Sequence, residues 1–138
     1  MENRDTELVE RNRQTMEKYW RTHDTAYLSE NVVFRIMATG QEHHGRDEVA
    51  AMFDYFYGGG AFEAHAEMRS GVVDGDWAAA EADVVGRHTG EFAGVPATGK
   101  DVRVPLAVHY DLRDGEIVEG RVYFEVPVFL AHVGAIPD

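Results

Sequence analysis

A chain of 138 residues has the length of one domain, and a domain of that size buries roughly 68–70% of its unfolded surface, enough for a core without staples. Hydrophobic residues make up 44% of it, as in ordinary globular proteins, and the absence of cysteine excludes disulfides, thiolate zinc sites and cysteine nucleophiles. The formal net charge of −12 sets up a field that repels a phosphate backbone, so no nucleic acid partner is expected.

The first residues, Met1 to Glu7, hold no basic start followed by an apolar run, so no signal peptide is read. No apolar stretch approaches the roughly 18 residues of a membrane span. A soluble, cytoplasmic chain without a membrane partner is therefore expected. Thr6 to His23 has the helical period, with Leu8, Asn12, Met16, Tyr19 and Trp20 on one stripe and Asp5 or Thr6 as N-cap. A short helical turn is expected within Thr25 to Ser29, which Asp24 can begin. Val32 to Met37 reads as a strand, Thr39-Gly40 as a break, and Gln41 to His44 as a short return strand.

Arg46 to Tyr57 is a second helix, with Val49, Met52, Phe53 and Phe56 at helical spacing and Gly58-Gly59-Gly60 as its stop. From Phe62 the period changes to two: Phe62, Ala64, Ala66 and Met68 alternate with Glu63, His65, Glu67 and Arg69. Further strands are predicted over Trp77 to Thr89, Val102 to Leu112 and Ile117 to Val126, and a small helix after Pro127. Helices first and strands later point to a single α+β domain over residues 1–138. Two helices on a strongly curved antiparallel sheet would leave a pocket at the open mouth.

The run Thr89-Gly-Glu-Phe-Ala-Gly-Val-Pro-Ala-Thr-Gly-Lys100 resembles the T-G-x-F-x-G-x-P-x-T-G-[KR] loop of SnoaL-like proteins. Tyr110-Asp-Leu-Arg-Asp-Gly-Glu-Ile-Val-Glu119 resembles their aromatic-x-x-x-D-G-x-I-V-E hairpin, Tyr123-Phe124-Glu125 their Y-x-D, and His132-Val133-Gly134 their terminal Q-L-G. On these motifs the chain is similar to the SnoaL-like polyketide cyclase group of the nuclear transport factor two-like superfamily. The resemblance implies the cone-shaped, cystatin-like α+β fold. It also implies a cofactor-independent enzyme acting on a small apolar or aromatic carbonyl-containing ligand, with a homodimer packed on the apolar outer face of the sheet.

In that group the aspartate matched by Glu125 is the acid/base of an intramolecular aldol closure. The resemblance therefore makes Glu125 the leading catalytic candidate; a carboxyl in an apolar pocket has its pKa raised toward a useful value. His109 is the second. A bulged Arg113-Asp114-Gly115 loop would set it opposite Glu119 on the face of Glu125, whereas a two-residue Asp114-Gly115 turn would set Val108 opposite Arg121 and send His109 to the other side.

Arg121, Tyr123 and Glu125 share a face by alternation. Arg121 with Glu81 and Asp83 resembles the acid–arginine–acid set of fold-related epoxide hydrolases, and a surface charge ladder is the competing explanation. Tyr19, Trp20, Phe34, Phe53, Tyr57, Arg121 and Tyr123 are the candidate ligand-binding residues, with plain core packing as the competing role for the aromatic ones. The adjacent His43 and His44 point to opposite sides of an extended chain, so no metal site is expected. A non-catalytic ligand-binding domain is the third reading.

Overall fold

The computed structural model describes residues 2–135, with side chains from Thr6 onward. Helix α1 spans Glu2–Thr22 and starts earlier than the stripe predicts. After a single 3-10 turn at Thr25–Tyr27 come strands β1 (Leu28–Ile36) and β2 (Gln41–His44), then helix α2 (Gly45–Tyr57). The long strands β3 (Phe62–Asp74), β4 (Trp77–His88), β5 (Asp101–Arg113) and β6 (Glu116–Phe124) follow, and helix α3 (Val126–His132) ends the described chain. No helix among the described residues is long and apolar enough to cross a membrane.

The strands form one six-stranded sheet in the order β2-β1-β6-β5-β4-β3. All neighbours are antiparallel except β1 and β6, which run parallel. Alternation decides the faces. On β4 the even residues Ala78, Ala80, Ala82 and Val84 are buried, and on β6 Val122 and Phe124 are; all but Ala82 belong to the hydrophobic core shared with α1 and α2.

Polar residues on the buried side of α1 fix it to the sheet. Asn12 donates from Nδ2 to the Gly75 carbonyl (2.9 Å) and accepts the Gly115 N–H on Oδ1 (3.0 Å). Thr15 donates its hydroxyl to the Gly115 carbonyl at 2.6 Å. Both hairpin turns are thus tied to one helix, and Asn12 and Thr15 gain the partners that buried polar groups require.

The loop that follows β4 and carries the family motif packs against the core and α3. Phe92 is 8% exposed and packs edge-on to Phe124 and Phe129. His88 is fully buried, and its Nδ1 accepts the Thr98 N–H at 3.3 Å. Lys100 donates to the Val133 carbonyl at 3.3 Å, holding α3 against the loop. The motif therefore ties the loop to β6 and α3 rather than to the hollow.

Candidate functional site

The hollow lies where the sheet presents its smallest side chains. Ala66 on β3 and Ala80 and Ala82 on β4 form its floor, because a methyl group fills far less of the space between sheet and helix than a leucine would. Tyr19, Trp20 and His23 close it from α1 and the residue after it, and Met52, Phe53, Phe56 and Tyr57 from α2. Phe34, Leu106, Val108, Tyr110 and Val122 complete the wall around a cavity of about 70 Å³.

That volume is below the roughly 150 Å³ of a cavity known to hold benzene, so a guest larger than a few atoms needs side chains to move or must extend outward. Met52 and Met68 are the flexible members of the wall. Outward there is space: an open mouth of about 750 Å³ shares Trp20, His23, Phe53, Tyr57 and Ala66 with the inner cavity and is rimmed by Arg21, Asp24, Asp54 and His65.

The wall is aromatic and uncharged. Tyr19 packs edge-on against Tyr110 (5.8 Å between centroids), and Phe34 edge-on against Phe53 (5.9 Å). Burial pushes the Tyr57 hydroxyl up to about 12, and it also raises those of Tyr19 and Tyr110 above their ordinary value, so all three stay protonated donors near neutral pH. The Trp20 indole N–H lies toward the Tyr110 hydroxyl without completing a hydrogen bond. Burial also lowers the pKa of His23 from its ordinary value, which leaves a neutral imidazole at pH 7.

Of the residues singled out from sequence, Tyr19, Trp20, Phe34, Phe53 and Tyr57 line this hollow. Glu125, His109, Arg121 and Tyr123 do not line it. Glu125 is exposed at the N-cap of α3, and its backbone N–H donates to the Pro105 carbonyl on the neighbouring strand (3.1 Å). For Arg121 and Tyr123 the physical reason is strand parity: Val122 lines the cavity from β6 and Phe124 is buried beside it, so the odd residues of this strand face away from the helices, and Glu125 follows where the strand has ended. Tyr123 is accordingly 46% exposed.

The hairpin register follows neither expected alternative fully. Asp114 and Gly115 both have positive φ (52° and 81°) and make a two-residue turn, with Arg113 opposite Glu116. A bulge then enters at Val118, which leaves Leu112 opposite Ile117 but Asp111 opposite Glu119. His109 consequently faces Arg121 across the pair, on the outer side, stacked on Trp77 at 5.4 Å and 5°.

Arg121 donates to Asp111 (2.9 Å) and to His109 Nδ1, and lies 3.4 Å from Glu119, which also pairs with Arg35. Asp83 is 1% exposed, because Arg69 and Arg103 lie over it with contacts of 2.8 Å each. These are cross-strand charge ladders on the outer surface, and the carboxylates expected to complete a water-activating set with Arg121 do not converge on a cavity. Asp24 caps the 3-10 turn by accepting the Ala26 N–H at 2.9 Å. On the outer face Val72 and Tyr123 are exposed, whereas Leu106, Leu112, Val108 and Val122 point inward.

His23, Met52, Met68, Tyr110 and the alanine floor escaped the sequence reading as site residues. A signal for His23 exists: it continues the Asn12–Met16–Tyr19–Trp20 stripe by one more step. Among the described residues, no group of three or more His, Asp or Glu side chains is arranged to hold a metal ion.

A family model described as SnoaL-like polyketide cyclase matches residues 9–128. Among solved structures, the chain is similar to a protein from Jannaschia sp. CCS1 assigned to the SnoaL-like polyketide cyclases, with TM-score 0.75 and 21% identity over 94% of this chain and 96% of that one. It is also similar to AclR from Streptomyces galilaeus, assigned as a hydroxylase (TM-score 0.69, 26% identity, 95% and 89% covered). A third structure, from Catenulispora acidiphila DSM 44928, has a ketosteroid isomerase-like fold and was solved in complex with trimethylamine (TM-score 0.63, 21% identity, 81% and 80% covered). No curated protein matches.

Proposed function

Because this chain belongs to the SnoaL-like polyketide cyclase family, we propose that it takes a small, apolar, ring-containing molecule into the hollow between its helices and sheet, and does so without a carboxylate acid/base. The observation that carries this reading is the wall itself. Aromatic and aliphatic side chains surround a floor of Ala66, Ala80 and Ala82, and no Asp, Glu, Lys or Arg is among them. Such a lining favours apolar guests through burial, at about 25 cal/mol per Å² of apolar surface removed from water.

Aldol closure driven by Glu125 is the weaker reading, because an acid/base must come within hydrogen-bond reach of the reacting carbon's proton, and Glu125 is exposed at the start of α3, outside the cavity wall. The trimethylamine held by the Catenulispora structure supports the general idea that this fold accepts small guests.

The test is a thermal-shift screen with aromatic and terpenoid compounds, run in parallel on Ala82→Leu. A guest present at a hundred times its Kd adds about 2.7 kcal/mol of stability. The wild type is expected to shift with at least one compound class. Ala82→Leu, which places three more carbons into a cavity of about 70 Å³, is expected to lose that shift. Equal shifts in both proteins would locate binding elsewhere, and no shift with any compound would end the reading.

A further inference from the structure

His23 stands apart from the rest of the wall. It ends α1 in the left-handed region, at φ +50°, with its N–H donating to the Tyr19 carbonyl at 2.7 Å. Glycine is the usual residue at such a helix end, and a side chain there costs free energy unless something compensates. What the conformation achieves is visible: it turns the imidazole back over the site. The ring stacks on Tyr57 (5.9 Å, 15°) and meets Tyr19 edge-on (5.2 Å, 81°). It lines both the inner cavity and the mouth, together with Trp20, Phe53, Tyr57 and Ala66, and so stands where the two meet. Among the described residues neither ring nitrogen has a hydrogen-bond partner.

The polar chemistry of the wall is unbalanced. Tyr19, Tyr57 and Tyr110 bring hydroxyl donors and Trp20 an indole N–H. A neutral imidazole brings a basic sp² lone pair, the strongest acceptor among these groups. A hydroxyl guest completes this set, because its O–H donates to the imidazole nitrogen while its oxygen accepts from one of the wall's donors. With no ionic partner on the wall, the donor must be neutral, and with rings on every side, its carrier should be flat.

We propose that His23 is the anchoring residue of the pocket, accepting a hydrogen bond from the hydroxyl of a neutral phenol-type guest at the junction of cavity and mouth. The proposal rests on the binding reading above and narrows its ligand class to aromatic hydroxyl compounds.

A matched pair of probes separates the two. The affinities of 4-ethylphenol and ethylbenzene are measured by titration calorimetry on the wild type, His23→Phe and His23→Gly. His23→Phe keeps a ring against Tyr57, and His23→Gly suits the left-handed backbone, so at least one variant retains the fold. The wild type is expected to prefer the phenol by about tenfold. Both folded variants are expected to lose that preference while holding ethylbenzene within about threefold of the wild type in at least the ring-bearing case. A wild type that binds both probes equally, or variants that keep the preference, overturns the role of His23 and leaves the pocket reading standing. Failure of both probes on the wild type overturns the two together.

Discussion

Replacing Gly120 with alanine tests whether the inner wall is packed as tightly as described. In the middle of a strand this exchange ordinarily stabilises, since glycine costs roughly 0.5–1 kcal/mol there. Here the sign should reverse. A Cβ on Gly120 would lie 2.7–2.9 Å from three ring carbons of Phe34, well inside contact distance. The ring cannot easily retreat: it is 1% exposed and held edge-on by Phe53 at 5.9 Å and Tyr110 at 6.4 Å. Overpacking of this kind costs about 1–3 kcal/mol. For 138 residues the unfolding entropy at the midpoint is about 0.3 kcal/mol/K, so the melting temperature should fall by about 3–10 °C. Calorimetry on Gly120→Ala, Phe34→Leu and the double variant measures the coupling. The smaller side chain at position 34 should relieve the clash, making the double variant more stable than the sum of the single losses predicts. A stabilised Gly120→Ala, or strict additivity, would refute the packing argument.

Two further outcomes follow from the site. Glu125→Gln should change guest binding by less than about twofold and stability by less than about 0.5 kcal/mol, as expected of an exposed position without a cap hydrogen bond; a tenfold loss in a binding titration would return the carboxyl to the site. His23 should make the fold sensitive to mild acid. Burial holds its pKa below the ordinary 6.5, so the unfolded state binds the proton more readily, and stability present above that value is lost as pH falls below it. Urea midpoints at pH 7.5 and pH 5 should therefore drop further for the wild type than for His23→Gly, and equal drops would contradict the buried, neutral imidazole.

The architecture was largely legible because its signals are periodic. The stripe on α1, the change to a period of two at Phe62 and the Asp114-Gly115 turn each report a local geometry that the chain adopts. The aromatic half of the pocket was legible for the same reason, since Tyr19, Phe34 and Phe53 sit on apolar faces. The acidic candidate lies off the hollow, and there two signals conflict. Family likeness pointed to Glu125, while the alternation of Glu119, Arg121 and Tyr123 with Gly120, Val122 and Phe124 already set the charged series facing water. The position of His109 depended on a bulge at Val118, which no turn residue announces. The alanine floor was hidden because a hollow is defined by what side chains lack, and a run such as Ala78-Ala79-Ala80 reads as neutral in any pattern of polarity.

The parallel contact between β1 and β6 bears on how the chain is made. β6 lies in the middle of the sheet, with β1 on one side and β5 on the other, yet it is the last strand to leave the ribosome. Until it emerges, the β1–β2 ribbon can pack against α2 but has no strand on its open edge. The nascent chain must therefore carry the unpaired edge of β1 until β6 is made, and a ribosome stalled before Glu116 would display a half-built sheet to whatever chaperone is nearby.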